Sequence, residues 1–265
     1  MILDSFILFF AGLLGGILNS IAGGGSFITF PALLFAGVPP IAANATNTFA
    51  SCAGYLSGAY AFRKDIATDK NSLKKIIIPS VMGGLLGALL LLNTPESVFT
   101  EAIPWLLLFA TLLFIFGGKL NQLLVKVGGK HKHANVIGSI LLALLLLIIC
   151  IYGGFFNAGL GIVSLSYLVL ARYQDINLMN GIKLLISSIV SLIAIVIFIA
   201  NGTIYWSSGF FVLLGTLSGG YFAAKLSRTL SQAHIRMFVT VASLFITVYF
   251  FYDTYGLPAA MTDNT

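Results

Sequence analysis

The chain reads as an all-α polytopic membrane protein built from two inverted repeats, each a re-entrant helical hairpin followed by three transmembrane helices. Three observations lead there. Hydrophobic residues make up 58% of the 265 and charged residues only 8%. A soluble domain carries roughly 25% charged residues, so this chain cannot cover itself in water and takes the bilayer as its solvent. One signature then occurs twice inside long apolar stretches: Gly15-Gly16, Asn19, Gly23 and Ser26, and 138 residues later Gly153-Gly154, Asn157, Gly161 and Ser164. Finally, the basic residues fall on one side of the membrane under only one folding of those stretches.

Eight apolar blocks follow one another at about 5–37, 40–62, 74–92, 102–117, 135–171, 177–200, 207–226 and 237–253. The first and fifth, at 33 and 37 residues, exceed the roughly 20 that cross a hydrocarbon core. Each holds the glycine-rich signature near its middle. If every block crossed once, alternation would place Lys225, Arg228, Arg236 and Arg172 outside, against the positive-inside bias. If blocks one and five each enter and leave by the same face, the segments 63–75, 118–134, 172–177 and 225–236 are all cytoplasmic. The external segments 1–4, 37–40, 93–101, 201–207 and 254–265 then contain no Lys or Arg. Trp105 and Trp206 fall at the outer interface, where such rings prefer to sit.

The second arms of the two long blocks, about 26–37 and 161–171, reach only about 17–18 Å as helix, too short to cross. They are expected as half-helices whose tips stop near mid-membrane, where irregular backbone survives only beside protein or a wet cavity. Both termini are expected outside. The opening Met1-Ile2-Leu3-Asp4 lacks the positive stretch of a cleavable signal, so the first helix is expected to be retained.

A hairpin plus three spans is an odd number of passes, so the halves insert oppositely. The first repeat covers 1–117, a cytoplasmic connector 118–134, and the second repeat 135–265. Beyond the hairpins the repeat continues at an offset of 136, pairing Asn44 with Asn180, Ser51 with Ser187, Gly83-Gly84 with Gly219-Gly220 and Thr111 with Thr247. The two glycine pairs read as close helix packing. Helix breaks at matching places of inverted repeats mark the substrate site of secondary transporters.

At the first break, Gly23, Gly24, Gly25 and Ser26 precede a short helix whose first-turn amides and dipole offer positive potential without a formal charge. An anion fits such a nest. Asn157, Gly159, Gly161 and Ser164 offer the same from the other leaflet. Asn19 accompanies the first break, and Asn44, Thr46, Asn47 and Thr48 form a polar string in the following span, expected to face the interior. The matching place in the second half is Asn180 to Lys183. Lys183 is either a functional intramembrane charge or a side chain snorkelling to a helix end about 9 Å away; both readings stand at this point.

Several classes lack their residues. No Asp or Glu lies mid-span, so a carboxylate proton relay or an acidic cation site is unsupported, and an anionic substrate is favoured. His131, His133 and His234 lie in loops, away from any intramembrane nucleophile. There is no G-x-x-x-x-G-K-[ST] phosphate loop. Cys52 and Cys150 read as small core residues, with no metal cluster. The net charge of +6 sits in short loops, so no nucleic-acid partner is expected. No cofactor is expected either.

Asn19-Ser20-Ile21-Ala22-Gly23-Gly24-Gly25-Ser26 running into Pro31, followed by Ala42-Ala43-Asn44-Ala45-Thr46-Asn47, resembles the sulfite exporter TauE/SafE family of membrane permeases. The resemblance extends over essentially the whole chain, with a weaker second copy at 153–183, where Lys183 stands against Asn47. It implies transport of sulfite, sulfonates or related sulfur oxyanions, usually outward across the bacterial cytoplasmic (inner) membrane. The combined expectation is a secondary carrier, not an enzyme. It would hold an oxyanion between the hairpin tips by the Gly23–Ser26 and Gly159–Ser164 amides. The shell is Asn19, Asn44, Thr46, Asn47, Asn157, Asn180 and Lys183. A passive anion channel and an importer of thiosulfate or another small anion stand as alternatives, and a homo-oligomer is left open.

Overall fold

A computed structural model describes residues 2–22, 24–67, 70–128, 136–226 and 232–256. Gly23, the 129–135 part of the expected connector and residues 227–231 therefore lie outside the described residues. Among these, every element is a helix: α1 (Ile2–Ala22), α2 (Ser26–Phe35), α3 (Pro40–Ala61), the single turn α4 (Arg63–Ile66), α5 (Lys70–Leu92), α6 (Glu96–Gly128), α7 (Val136–Phe155), α8 (Leu160–Leu170), α9 (Ile176–Ala200), α10 (Trp206–Leu226) and α11 (Gln232–Tyr255).

The fold is an all-α membrane protein. Leu73–Leu92, Glu96–Gly117, Ile176–Ala200 and Met237–Tyr255 are each long and apolar enough to cross a bilayer. The outside of the bundle is greasy: Ile148, Val196, Phe245 and Val248 are each more than 60% exposed, which suits contact with lipid rather than water.

The two overlong blocks are divided at their glycine-rich breaks, α1 from α2 and α7 from α8. Both pairs turn back on themselves. A Cβ at Gly25 would meet Asn19 at 2.8 Å, and one at Gly15 would meet Gly25 O at 3.2 Å and lie against the Thr29 methyl, so α1 and α2 run antiparallel. In the second pair Gly153 abuts Leu160, and Tyr152 OH donates to Ala158 O at 2.6 Å. α2 stops at Phe35 because Gly37 (φ 79°) takes the left-handed conformation that closes a helix. The amide of Val38 then returns to Leu33 O at 3.1 Å.

Helix pairing follows one pattern in both halves. α1 packs on α10 as α7 packs on α5, α2 on α11 as α8 on α6, and α3 on α10 as α9 on α5. Each of the pairs α3–α9 and α6–α11 joins a helix to its own repeat equivalent. These equivalents run antiparallel. Gly58 of α3 lies against Leu184, while Gly181, further back along α9, lies against Phe62 and Ile66, just beyond the end of α3.

Apolar association is weak in lipid, so helices there hold together through close backbone approach at small residues. A Cβ at Gly154 would stand 2.8 Å from Gly84 O, and one at Gly16 would stand 2.8 Å from Thr216 Cα. The glycines of α1 and α10, and of α5 and α7, are thus packing residues. Cys52 and Cys150 are buried and unpaired by disulfide, as small core residues should be.

The bundle has two chemically different ends. Arg63 and Lys64 follow the end of α3 and Arg172 precedes the start of α9, and these ends lie together because Gly181 of α9 abuts Phe62 and Ile66. At the opposite end, Tyr255 OH donates to Glu101 O at 2.9 Å, and Trp206 packs edge-on to Phe49 with ring centroids 5.3 Å apart.

Candidate substrate site

The two breaks are built differently. At the first, Phe27 N donates to Gly24 O at 3.2 Å, and Ile28 N and Thr29 N donate to Gly25 O at 3.0 and 3.2 Å. At the second, Asn157 (φ 61°) and Gly159 (φ 78°) both adopt left-handed backbone. Glycine does so without a Cβ clash, and asparagine is among the residues that best tolerate it. Leu160 N then donates to Asn157 O at 3.1 Å, and Ile162 N and Val163 N to Gly159 O at 2.9 and 3.2 Å. The amides of Gly159 and Gly161 take no part in these turn bonds.

The tips of both hairpins open on one narrow cavity. Asn19 and Ser26 reach it from the first break, Asn157, Gly159 and Gly161 from the second, and Tyr55, Lys183 and Ser187 from α3 and α9. Leu160, Ile162, Leu165 and Leu184 form an apolar wall. A smaller space, lined by Gly15, Gly16, Gly25, Thr29, Ser51, Gly54 and Thr216, shares Asn19 with it. Tyr55 is six residues from the end of α3 and Lys183 seven from the start of α9, so the main cavity lies in the half of the bundle nearer the basic end.

Hydrogen bonds set the polar side chains. Asn157, 2% exposed, bridges the halves: its Nδ2 donates to Ser191 Oγ at 2.9 Å, and its Oδ1 accepts from Tyr55 OH at 3.2 Å. Asn47 joins α3 to α2, donating to Ser26 Oγ at 3.2 Å and accepting from Thr29 Oγ1 at 2.5 Å. Lys183 Nζ donates to Asn180 Oδ1 at 3.2 Å. Among the described residues Lys183 is the one charged side chain on the cavity wall, and none of them brings a carboxylate to it. Among the described residues no cluster of His, Cys, Asp or Glu could hold a metal.

The expected residues thus separate into groups. Asn19, Ser26, Asn157, Gly159, Gly161 and Lys183 share the main cavity, while Gly25 lines its neighbour. Asn47 and Asn180 stand one bond behind, on Ser26 and Lys183. Asn44 and Thr46 are elsewhere: Asn44 Nδ2 donates to Phe155 O at 2.7 Å, and Thr46 Oγ1 accepts from Tyr205 N at 3.0 Å. Both bonds clamp α3 to the second half. Gly24 packs against Val239 and Phe114. Ser164 is fully buried, and its Oγ has no hydrogen-bond partner. Gly23 lies outside the described residues.

Tyr55 and Ser187 were not among the expected site residues. A signal for Tyr55 exists, since Asn47, Ser51 and Tyr55 recur every four residues along one face of α3. Ser187 is the repeat partner of Ser51. Beside Asn157, the rings of Phe156 and Phe30 meet edge-on at 5.4 Å and those of Phe156 and Phe99 at 6.4 Å. All three are at most 1% exposed, so an aromatic layer is buried next to Asn157.

The family model described as "Sulfite exporter TauE/SafE" matches residues 8–250. A probable membrane transporter protein of Haemophilus influenzae is 30% identical over 249 residues, covering 93% of this chain and 94% of its own length. The probable membrane transporter protein YfcA of Escherichia coli K12 is 28% identical over 251 residues, covering 94% and 90%. The probable membrane transporter protein ORF9 of a Sinorhizobium species is 28% identical over 243 residues, covering 91% and 90%. No solved structure matches the chain.

Proposed function

We propose that this chain, which belongs to the sulfite exporter TauE/SafE family, is a secondary permease moving a small sulfur-containing oxyanion outward across the cytoplasmic membrane. Sulfite and organosulfonates are the cargo class. That it is a membrane transporter follows from its family and from relatives so named. Nothing in the family or those names points to an enzyme. The cargo, the direction and the site are the proposal.

One observation carries it: two helix breaks 138 residues apart in sequence open on a single cavity where the described residues offer donors and no carboxylate. The hydroxyl of Ser26, the amide of Asn19, the second N–H of the Asn157 amide and the backbone N–H groups of Gly159 and Gly161 supply hydrogen bonds that strengthen when the acceptor is ionised. The start of α8 adds its dipole.

In this reading the halves are inverted in the membrane, with the basic end cytoplasmic and both termini outside. The antiparallel packing of α3 on α9 and α6 on α11 supports it, because a two-fold relating antiparallel helices lies across them. The cavity then loads from the cytoplasm. In this reading the buried layer of Phe30, Phe99 and Phe156 beside Asn157 is the closed side, which favours a carrier that rocks between two exposures over a continuous pore. An interior-negative potential drives an anion outward by about 2.3 kcal/mol per charge per 100 mV.

The test is flux in proteoliposomes holding the purified protein, with radiolabelled sulfite, thiosulfate and an alkylsulfonate as separate probes. Saturable, potential-driven movement of sulfite or the sulfonate is expected. Absence of flux for all three overturns the reading, and unitary conductance steps in planar bilayers convert the carrier into a channel.

A further inference from the structure

We infer that the cavity is a monoanion site, with Lys183 setting the charge it accepts; this rests on the permease reading above. The inference comes from a difference between the two halves. In the first, Asn47 is engaged at both ends of its amide, giving a hydrogen bond to Ser26 Oγ at 3.2 Å and taking one from Thr29 Oγ1 at 2.5 Å. The repeat offsets place Lys183 where Asn47 stands, Ser164 where Ser26 stands and Tyr167 where Thr29 stands. None of the first-half bonds is remade. Ser164 Oγ is left buried without a partner, and Lys183 lies along Gly161, where a Cβ would stand 3.4 Å from its Cδ.

An ammonium carries three donors. Among the described residues Lys183 uses one, on the neutral Asn180 Oδ1. A cation placed in a half-apolar cavity without a counterion is costly, and a single negative charge beside it offsets that cost. A second negative charge on the same ligand has no cation to face and carries its own desolvation penalty. The wall built from Leu160, Ile162, Leu165 and Leu184 keeps the penalty high.

Monovalent oxyanions are therefore carried in preference to divalent ones. A sulfonate is a monoanion at any physiological pH. Sulfite is carried as hydrogensulfite, the form with one proton retained. Sulfate and thiosulfate are excluded by charge, not by size.

The experiment uses proteoliposomes with radiolabelled ethanesulfonate as the probe. Unlabelled methanesulfonate is expected to compete, whereas sulfate and thiosulfate at about tenfold higher concentration are not. Lys183→Asn, which installs the first-half residue, is expected to raise KM about tenfold or more with kcat changed little, and to erase the preference for one charge over two. Lys183→Arg is expected to retain both KM and the preference, which a merely structural role for the lysine stem does not require. Sulfate competing as well as methanesulfonate in the unaltered protein, or an unchanged KM in Lys183→Asn, overturns the charge rule while leaving the permease reading intact. Absence of flux for every anion overturns both.

Discussion

Thr111 of α6 and Thr247 of α11 face each other through their hydroxyls at 3.2 Å, both buried, and they are 136 residues apart. That separation is the repeat offset itself, so each threonine touches its own equivalent. They mark where α6 and α11 cross. Further along, Trp105 Nε1 donates to Tyr255 OH at 3.2 Å. Moving back along α6 therefore means moving forward along α11. The proton assignment also follows: Thr247 Oγ1 donates to Ser243 O at 2.7 Å, so Thr111 is the donor to Thr247.

This assignment gives an asymmetric mutational result. Thr247→Val strands the buried Thr111 hydroxyl and is expected to cost about 1–3 kcal/mol. Thr111→Val costs less, because Thr247 keeps its bond to Ser243. The double valine variant should be closer to the unaltered protein than Thr247→Val alone. Thermal unfolding in detergent measures all three, and equal losses for the two single variants would refute the donor assignment.

Asn157 is expected to matter for more than its backbone. Asn157→Gly keeps the left-handed turn available but removes both bonds that join Tyr55 to Ser191. Oxyanion flux should fall by about tenfold or more while the variant still elutes as a folded particle, each buried hydrogen bond contributing about 1 kcal/mol. Full flux in the glycine variant would reduce Asn157 to a turn residue.

The glycine contacts between α1 and α10 predict intolerance of any larger residue. At Gly219 a Cβ would fall onto Leu13 O and stand 3.0 Å from Ile17 N. Gly219→Val should cost about 1–3 kcal/mol from overpacking. Gly37→Asn at the end of α2, with nothing within 4 Å of its Cβ position and a conformation asparagine tolerates, should cost far less. Their unfolding temperatures, compared side by side, decide this.

Orientation is checked by chemistry at the two ends. With both native cysteines buried, an introduced cysteine at exposed Lys64 should react with an impermeant maleimide only from the cytoplasmic face. One at exposed Asn201 should react only from outside. Reaction of both from one face would contradict the inverted arrangement.

The helix breaks were legible from residue type because glycine and asparagine in an apolar run have few other uses. The helix limits were less so. The fourth apolar block suggests 102–117, yet α6 runs Glu96–Gly128. Hydropathy marks the stretch that sits in lipid, and a helix continues past it wherever its residues allow. The string Asn44 to Thr48 faces the interior as expected, with Asn44, Thr46, Asn47 and Thr48 all buried, but its members do not share one site. Successive helical residues point about 100° apart, so Asn44, Thr46 and Asn47 serve three different partners, and only Asn47 supports the cavity.

Composition and the repeated break settled, before any coordinates, that this chain lives in a bilayer as helices interrupted at two matching places. Those are local properties: the ratio of apolar to charged side chains and the absence of a Cβ where the backbone turns. Which donors share one space was decided only when α3 met α9 and brought Tyr55 and Lys183 to the same cavity as Asn19 and Asn157. Contacts between residues more than 100 positions apart depend on how whole helices pack, and no short stretch of the chain encodes that.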